Sequence, residues 1–517
     1  MTVTPVQVHC LTKKTKTKED KKMAGVKSLA KDTAIYGMSS IIGRFLNWCL
    51  VPMYTHLFAK SEFGVVTYIY SITALLLIIL TCGMETGYFR FANDDKLKNP
   101  AKVYTTSLAF IASLSLVFVA GVTMLATPIS DCLECSGHTD YIILMAAAVA
   151  IDAVTAIPFA YLRYKKRPLR FAALKLINIF LNIFLNIFFL VICPWIIKTS
   201  PGLIDGIYSP DYGIGYIFLT NFITSAITLL TLLPELRAEK YTFDGKLLRT
   251  MLNYSYPLLI LGIAGIMNQS IDKILYPLIT SHPETAMADV GVYGANYKIA
   301  IVMVMFIQAF RFAYEPFIFA QNKETGQNKL QAYRDAMKYF VIFGLFIFLG
   351  VMFFIDIIKY FVAPEYFVGL KVVPIIMIAE LFFGIFFNLS LWYKLTDRTI
   401  WGTWFSLLGL AVTIILNVLL VSHFGYMGCA WAAFGCYTTM MVTSFFVGKS
   451  KYPIGYDIKT ISVYFIIAMG LYALSALTAT GNKLIDFPVR IILLAGYAAL
   501  VIFKEKPHKK FIKSSQK

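Results

Sequence analysis

Charge is what this sequence has least of. Asp, Glu, Lys and Arg make up 15% of its 517 residues, where soluble domains carry about 25%. Hydrophobic residues make up 58% against an ordinary share of about 45–50%, which excludes a water-soluble globule. Acidic residues are scarcer still, 29 against 47 Lys and Arg, for a net charge of +18. No stretch between the apolar segments is long enough for a soluble domain, and no G-x-x-x-x-G-K-[ST] phosphate loop occurs, which excludes a pump with its own nucleotide site. Basic residues interleaved with aromatics in a soluble domain are absent too, so no nucleic-acid partner is expected. The first 32 residues are too polar for the apolar region of a cleavable leader. Their Lys- and Thr-rich beginning reads as disordered, with Met23 a candidate start and Gly25 to Lys31 a basic lip.

What the sequence has instead is apolar runs. A hydrocarbon core of about 30 Å takes about 20 apolar residues to cross. Fourteen such spans can be read, near 33–55, 63–86, 103–127, 141–162, 172–196, 213–233, 252–277, 291–317, 339–358, 372–393, 402–422, 427–448, 459–479 and 486–503. Basic loops are retained in the cytoplasm, and the Lys and Arg residues are strongly sorted. Lys13, Lys14, Lys21 and Lys22, then Arg163, Lys165, Lys166, Arg167 and Arg170, and finally the segment from Lys504 to Lys517 fall on one side. Only Lys60, Lys198, Lys359, Lys371 and Lys483 fall in the opposite loops. Both termini are therefore expected in the cytoplasm.

The chain is built twice. An apolar segment carrying Arg44 reaches Pro52, crosses a short link and re-enters at Phe63-Gly64 for a span ending at Glu85. Later, a segment carrying Asp272 and Lys273 reaches Pro277, crosses a link and re-enters at Val290-Gly291. Pro52 to Pro277 is an offset of 225 and Gly64 to Gly291 one of 227. Six spans separate the copies, so both run in the same direction and are related by an axis along the membrane normal. The expected fold is all-α and polytopic: two pseudo-symmetric six-helix lobes around a central cavity, plus two appended helices. The segments are 1–32 (basic, cytoplasmic), 33–233 (N-lobe), 234–251 (linker, read as a surface helix), 252–448 (C-lobe), 449–503 (the last two spans) and 504–517 (basic tail).

An ionisable group inside a span costs at least about 2.5–3.5 kcal/mol, so each is a functional candidate. The candidates are Arg44, Glu85, Arg90, Asp152, Asp272, Lys273, Lys298, Arg311, Glu315 and Glu380. Arg44 and Asp152 lie deepest, where neither can snorkel out, and their alternative to a cavity role is an ion pair with each other. Arg311, Glu315, Glu85 and Arg90 lie near the inner mouth as gate candidates or as local helical pairs, Glu85 with Arg90 and Arg311 with Glu315. Asp272 beside Lys273 has the same local alternative. Cations in a central cavity suit an anionic substrate, because a guanidinium offers a fork to phosphate oxygens. Arg44, Lys273, Lys298 and Arg311 are thus the substrate-binding set, and Asp152, Asp272 and Glu380 are candidates for ion coupling. Cys132, Cys135 and His138 leave three readings open: a weak zinc site, a local disulfide, or no role.

The stretch LAKDTAIYGMSSIIGRFLNWCLVPMYTHLFAKSEFGVVTYIYS resembles the start of bacterial polysaccharide-unit flippases of the Wzx type. These belong to a superfamily that also holds multidrug extruders and lipid II flippases. The resemblance is carried by the polar-aromatic first span with its Arg, the Pro before the link and the F-G opening of the second span. It implies a transporter and not an enzyme: a flippase moving undecaprenyl-pyrophosphate-linked oligosaccharide across the bacterial inner membrane by alternating access, for O-antigen, capsule or exopolysaccharide synthesis. It implies no cofactor, coupling to protons, sodium or membrane potential, and a place beside membrane lipids, a polymerase and other polysaccharide-assembly proteins. Family members carry an Arg in the first span that meets the pyrophosphate, and Arg44 matches it. A lipid II flippase and a multidrug antiporter are the rival readings within the superfamily. The midplane charge, mixed to cationic, argues against the antiporter, which needs an acidic cavity for cationic drugs.

Overall fold

The computed structural model describes residues 37–505 apart from 40, 95–98, 134, 136, 201, 203, 205, 207, 238–240, 322–326 and 397. The side chains of 313, 315–321, 327–329 and 483 are likewise outside it, as are the expected basic lip and nearly all of the basic tail. Among the described residues there is no strand. The main helices are α1 (41–57, broken at Cys49-Leu50), α2 (Lys60–Thr81, continued by Met84–Ala92), α3 (Pro100–Met124), α4 (Thr139–Tyr164), α5 (Pro168–Ile187, continued to Thr199), α6 (Gly215–Thr231) and α7 (Gly245–Ile279). They are followed by α8 (Ala286–Gln321), α9 (Gln327–Phe353), α10 (Val372–Leu389), α11 (Ile400–Phe424), α12 (Tyr426–Lys451), α13 (Ile458–Leu477) and α14 (Lys483–Lys504). Twelve are long and apolar enough to cross a membrane, and the chain is a multi-pass membrane protein. The predicted first and sixth spans correspond to the two others, the broken α1 and the 17-residue α6.

Helices α2, α3, α5 and α6 pack around α4 in the first lobe, and α10, α11 and α12 pack with α7 and α8 in the second. The lobes meet along α2, which lies against both α8 and α7. The contact with α8 explains the repeated glycine. A Cβ added at Gly64 would lie 1.7 Å from the Met287 carbonyl oxygen, and one at Gly291 would lie 2.0 Å from that of Lys60. Backbone here touches backbone, which only glycine allows. The two repeat markers face each other across the pseudo-symmetry axis and seal one end of the molecule, the link face. Tyr366 and Ala363 of the short helical segment after α9 bond to Phe58 and Thr55 over that seal, and Phe361 stacks on Trp48 at 4.1 Å. The opposite, basic face carries Arg163 to Arg170.

Among the described residues, the linker between lobes forms no separate surface helix. Its first part is a four-residue helix, Leu233–Leu236, and from Gly245 on it is already the start of α7, capped by Asp244. Both parts are clamped to the first lobe. Glu235 is buried and takes both arms of Arg170 at 2.7 and 3.0 Å, Tyr104 donates to the Glu235 carbonyl, and Lys102 pairs with Asp244 at 2.7 Å. The Lys102 contact, with the α7 N–H groups behind it, holds the Asp244 carboxyl below the usual range. Helix α14 is pinned near both ends: Arg490 pairs at 2.7 Å with Asp356, just after α9, and Glu505 takes Lys338 of α9 at 2.6 Å and the Tyr464 hydroxyl of α13 at 3.2 Å.

Candidate functional site

A cavity of about 850 Å³ runs from Tyr54 and Phe63 under the link face to Glu85 and Arg163 near the basic face. Most of its wall belongs to the first lobe, namely α1, α2, α4, α5 and α6, and the remainder is one side of α7 and α8. The first-lobe wall is built of amides and hydroxyls. Asn178 on α5 donates to Thr228 at 2.7 Å, Asn221 on α6 donates to the Tyr70 hydroxyl, and Tyr54 donates to Asn186 at 2.9 Å. Ser225 donates to Asp152 at 2.8 Å.

Asp152 is therefore not paired with Arg44. It lies on the cavity wall, and its electrostatic partner is Lys175 of α5, whose ammonium sits 4.1 Å from the Phe159 ring. Arg44 is exposed on α1, one turn before the lining residue Asn47, and is itself outside the cavity wall. It makes no hydrogen bond or ion pair among the described residues, and its charged neighbour is Arg311 of α8, a like charge. Arg311 lies over the Phe387 ring at 4.0 Å, outside the cavity wall proper. Lys298 lines the cavity half-buried, its carbonyl held by Trp48 at 2.7 Å, and no acid pairs with its ammonium among the described residues. Lys273, which the sequence groups with these cations, is buried and already neutralised. Its ammonium bonds Asp272 at 3.0 and 3.2 Å and the Gln269 carbonyl at 3.1 Å, and it faces the Tyr297 ring at 4.4 Å. The local pairing of Asp272 with Lys273 is thus present, in the last two turns of α7.

Around that pair the second lobe holds a knot of buried polar groups. Tyr293 donates to Asp272 at 2.6 Å, and Tyr297 donates to Glu380 of α10 at 2.6 Å. Asp272 is 4% and Glu380 3% exposed. At the basic end of the cavity, Glu85 pairs with Arg163 of α4 and not with Arg90, which lies 4.2 Å over the Tyr254 ring of α7. The helical-neighbour reading fails there because α4 brings a stronger partner across the bundle. The side chain of Glu315 lies outside the described residues, so its pairing with Arg311 does too. Cys132 and Cys135 are free thiols, one exposed and one buried, and His138 stacks on Tyr141 at 4.5 Å. No disulfide joins them.

Two features escaped the sequence reading. Lys175 lies within the predicted fifth span and belonged among the intramembrane charges. The repeat N-I-F-L-N-I-F-L-N-I-F from Asn178 to Phe188 places Asn178, Asn182 and Asn186 one above another on one helix face. A fourfold spacing of Asn in an apolar run was the available signal.

The chain has known structural relatives. It superposes on the lipid II flippase MurJ in an inward-closed conformation with a TM-score of 0.68 at 13% identity, covering 91% of this chain and 99% of that one. A multidrug-resistance transporter of the MATE family and MOP superfamily, inward-facing, gives 0.63 at 13% identity, over 81% and 97%. A point mutant of the Vibrio cholerae MATE transporter VcmN gives 0.53 at 13% identity, over 83% and 99%. These likenesses show a shared fold. No curated protein matches the chain in sequence. The family model for polysaccharide biosynthesis proteins matches residues 29–322, more than half of the length, and the chain belongs to that family.

Proposed function

We propose that this protein is a flippase for lipid-linked oligosaccharide, carrying undecaprenyl-pyrophosphate-linked units across the bacterial inner membrane for surface polysaccharide assembly. One observation carries the reading: a cavity joins an amide and hydroxyl wall on one side to a cation on α8 that lacks an acid partner among the described residues, Lys298, with Arg44 on α1 one turn before the lining residue Asn47. A pyrophosphate needs fixed cations, and the sugar attached to it needs neutral hydrogen-bonding groups. Membership in the polysaccharide biosynthesis family supports the same substrate class. Arg44, which has no acid partner among the described residues, is the anchor for the pyrophosphate, and Lys298 is its second contact.

The sorting of Lys and Arg puts the basic face in the cytoplasm. The glycine seal then closes the periplasmic side, and the cavity belongs to the inward state. Alternating access requires the Gly64–Gly291 seal to part while the basic face closes, with Glu85 and Arg163 at the closing mouth. Asp272 and Glu380, buried beside Lys273, are the coupling groups of the cycle, and Asp152 is the third candidate on the cavity wall.

Deleting the gene and extracting lipids tests the reading. Accumulation of an oligosaccharide on undecaprenyl pyrophosphate, with loss of surface polymer, is the expected result, and absence of accumulation overturns it. In the same assay Arg44→Ala abolishes export while the protein inserts normally. Arg44→Lys recovers part of it, because charge is kept and the fork is lost.

A further inference from the structure

The asparagine face of α5 is unusual on energetic grounds. Ile177, Phe180 and Phe184 on its other side are exposed as a lipid-facing surface is. The inward side carries Lys175, Asn178, Asn182 and Asn186, a polar stripe through an apolar span. Polar groups at that depth are costly unless they have partners.

Only part of this stripe is satisfied internally. Asn186, fully buried, is spent on structure: its amide nitrogen donates to Asn182 and its oxygen accepts from Tyr54. Asn178 uses its nitrogen on Thr228 and has an unclaimed oxygen, and Asn182 uses its oxygen on Asn186 and has an unclaimed nitrogen, among the described residues. Across the cavity, Asn221 spends its nitrogen on Ile217 and Tyr70, which leaves its own oxygen and the Tyr70 proton available. Asn178, Asn182, Asn221 and Tyr70 line the cavity.

The unclaimed groups therefore alternate between acceptor and donor. An anion takes donors alone, and a cation takes acceptors alone. A sugar hydroxyl is both at once, and an acetamido group carries one of each. We propose that Asn178 and Asn182 of α5, with Asn221 and Tyr70 opposite, form the wall that recognises the glycan, reading uncharged pyranose hydroxyl or acetamido groups next to the pyrophosphate. Substrate selection then resides in the first lobe alone, apart from the cations that hold the lipid phosphate. This rests on the flippase reading given above.

The test uses the full-length protein in lipid nanodiscs and two probes: undecaprenyl pyrophosphate, and the lipid-linked oligosaccharide extracted from cells lacking this gene. Wild type is expected to prefer the glycosylated lipid by at least about tenfold, the effect of one or two hydrogen bonds. Asn182→Leu and Asn178→Leu each bring that preference to within about threefold of unity. Continued binding of the sugar-free lipid shows that these variants are folded. An undiminished preference in both variants, or no preference in wild type, overturns the proposal. Failure of wild type to bind either lipid overturns the flippase reading itself and this proposal with it.

Discussion

The interiors of the two lobes descend from one repeat and have been filled in opposite ways. The first lobe is hollow and lined by Asn, Ser and Thr, with Asp152 and Lys175 facing each other across water-accessible space. The second is solid. Phe383 stacks on Tyr437 at 4.6 Å, Phe306 on Phe340 at 5.3 Å, and Gly384 is wedged against Phe340 and Ile307. Its charges are gathered in the Asp272, Lys273 and Glu380 knot with two tyrosine hydroxyls, which meets the cavity only at Lys273 and Tyr297. The same fold thus holds two different interiors: an open wall of neutral polar groups, and a compact charged knot whose members satisfy one another.

That difference predicts unequal costs for one chemical change. Asp272→Asn leaves the Lys273 ammonium buried without its counter-charge, and removing one partner of a buried pair costs about 3–5 kcal/mol. The variant should melt at a much lower temperature in detergent, and Asp272→Asn combined with Lys273→Met should recover most of the loss. Equal stability of the single variant and wild type would show that the pair is not buried.

An intermediate effect is expected at the interface that keeps the lobes equivalent. Gly64→Val and Gly291→Val each put side-chain carbon into a facing carbonyl, an overpacking cost of about 1–3 kcal/mol. It falls only on the state in which the seal is shut. Each variant should therefore shift the population about tenfold or more toward an open link face, measured by labelling a cysteine placed at Val66, and the two should behave alike. If only one of them opens the seal, the pseudo-symmetry of α2 and α8 is not functional.

The smallest change is Asp152→Asn in the first lobe. The amide oxygen still accepts from Ser225, and the site is wet, so stability should move by about 0.5–1 kcal/mol at most. A loss as large as that of Asp272→Asn would erase the contrast between the lobes.

The sequence by itself determined the solvent, the helices and the duplication, because these depend on local properties. Apolar run length sets which segments span, and the sorting of Lys and Arg orders the faces. The Pro52/Gly64 and Pro277/Gly291 markers reveal the repeat because the chain reuses the same link geometry. Candidate charges were legible for the same reason, since any ion in an apolar run stands out. Partners were not. Arg44 meeting Arg311, Glu85 meeting Arg163, Asp152 facing Lys175 and the early start of α7 all follow from how helices rotate and cross, which is set by packing between segments far apart in the chain. Only the tertiary structure decided that one copy of the repeat would enclose a polar cavity and the other an aromatic core. Hydropathy counts apolar residues without recording which face they occupy, and the face is chosen when the lobes close against each other at Gly64 and Gly291.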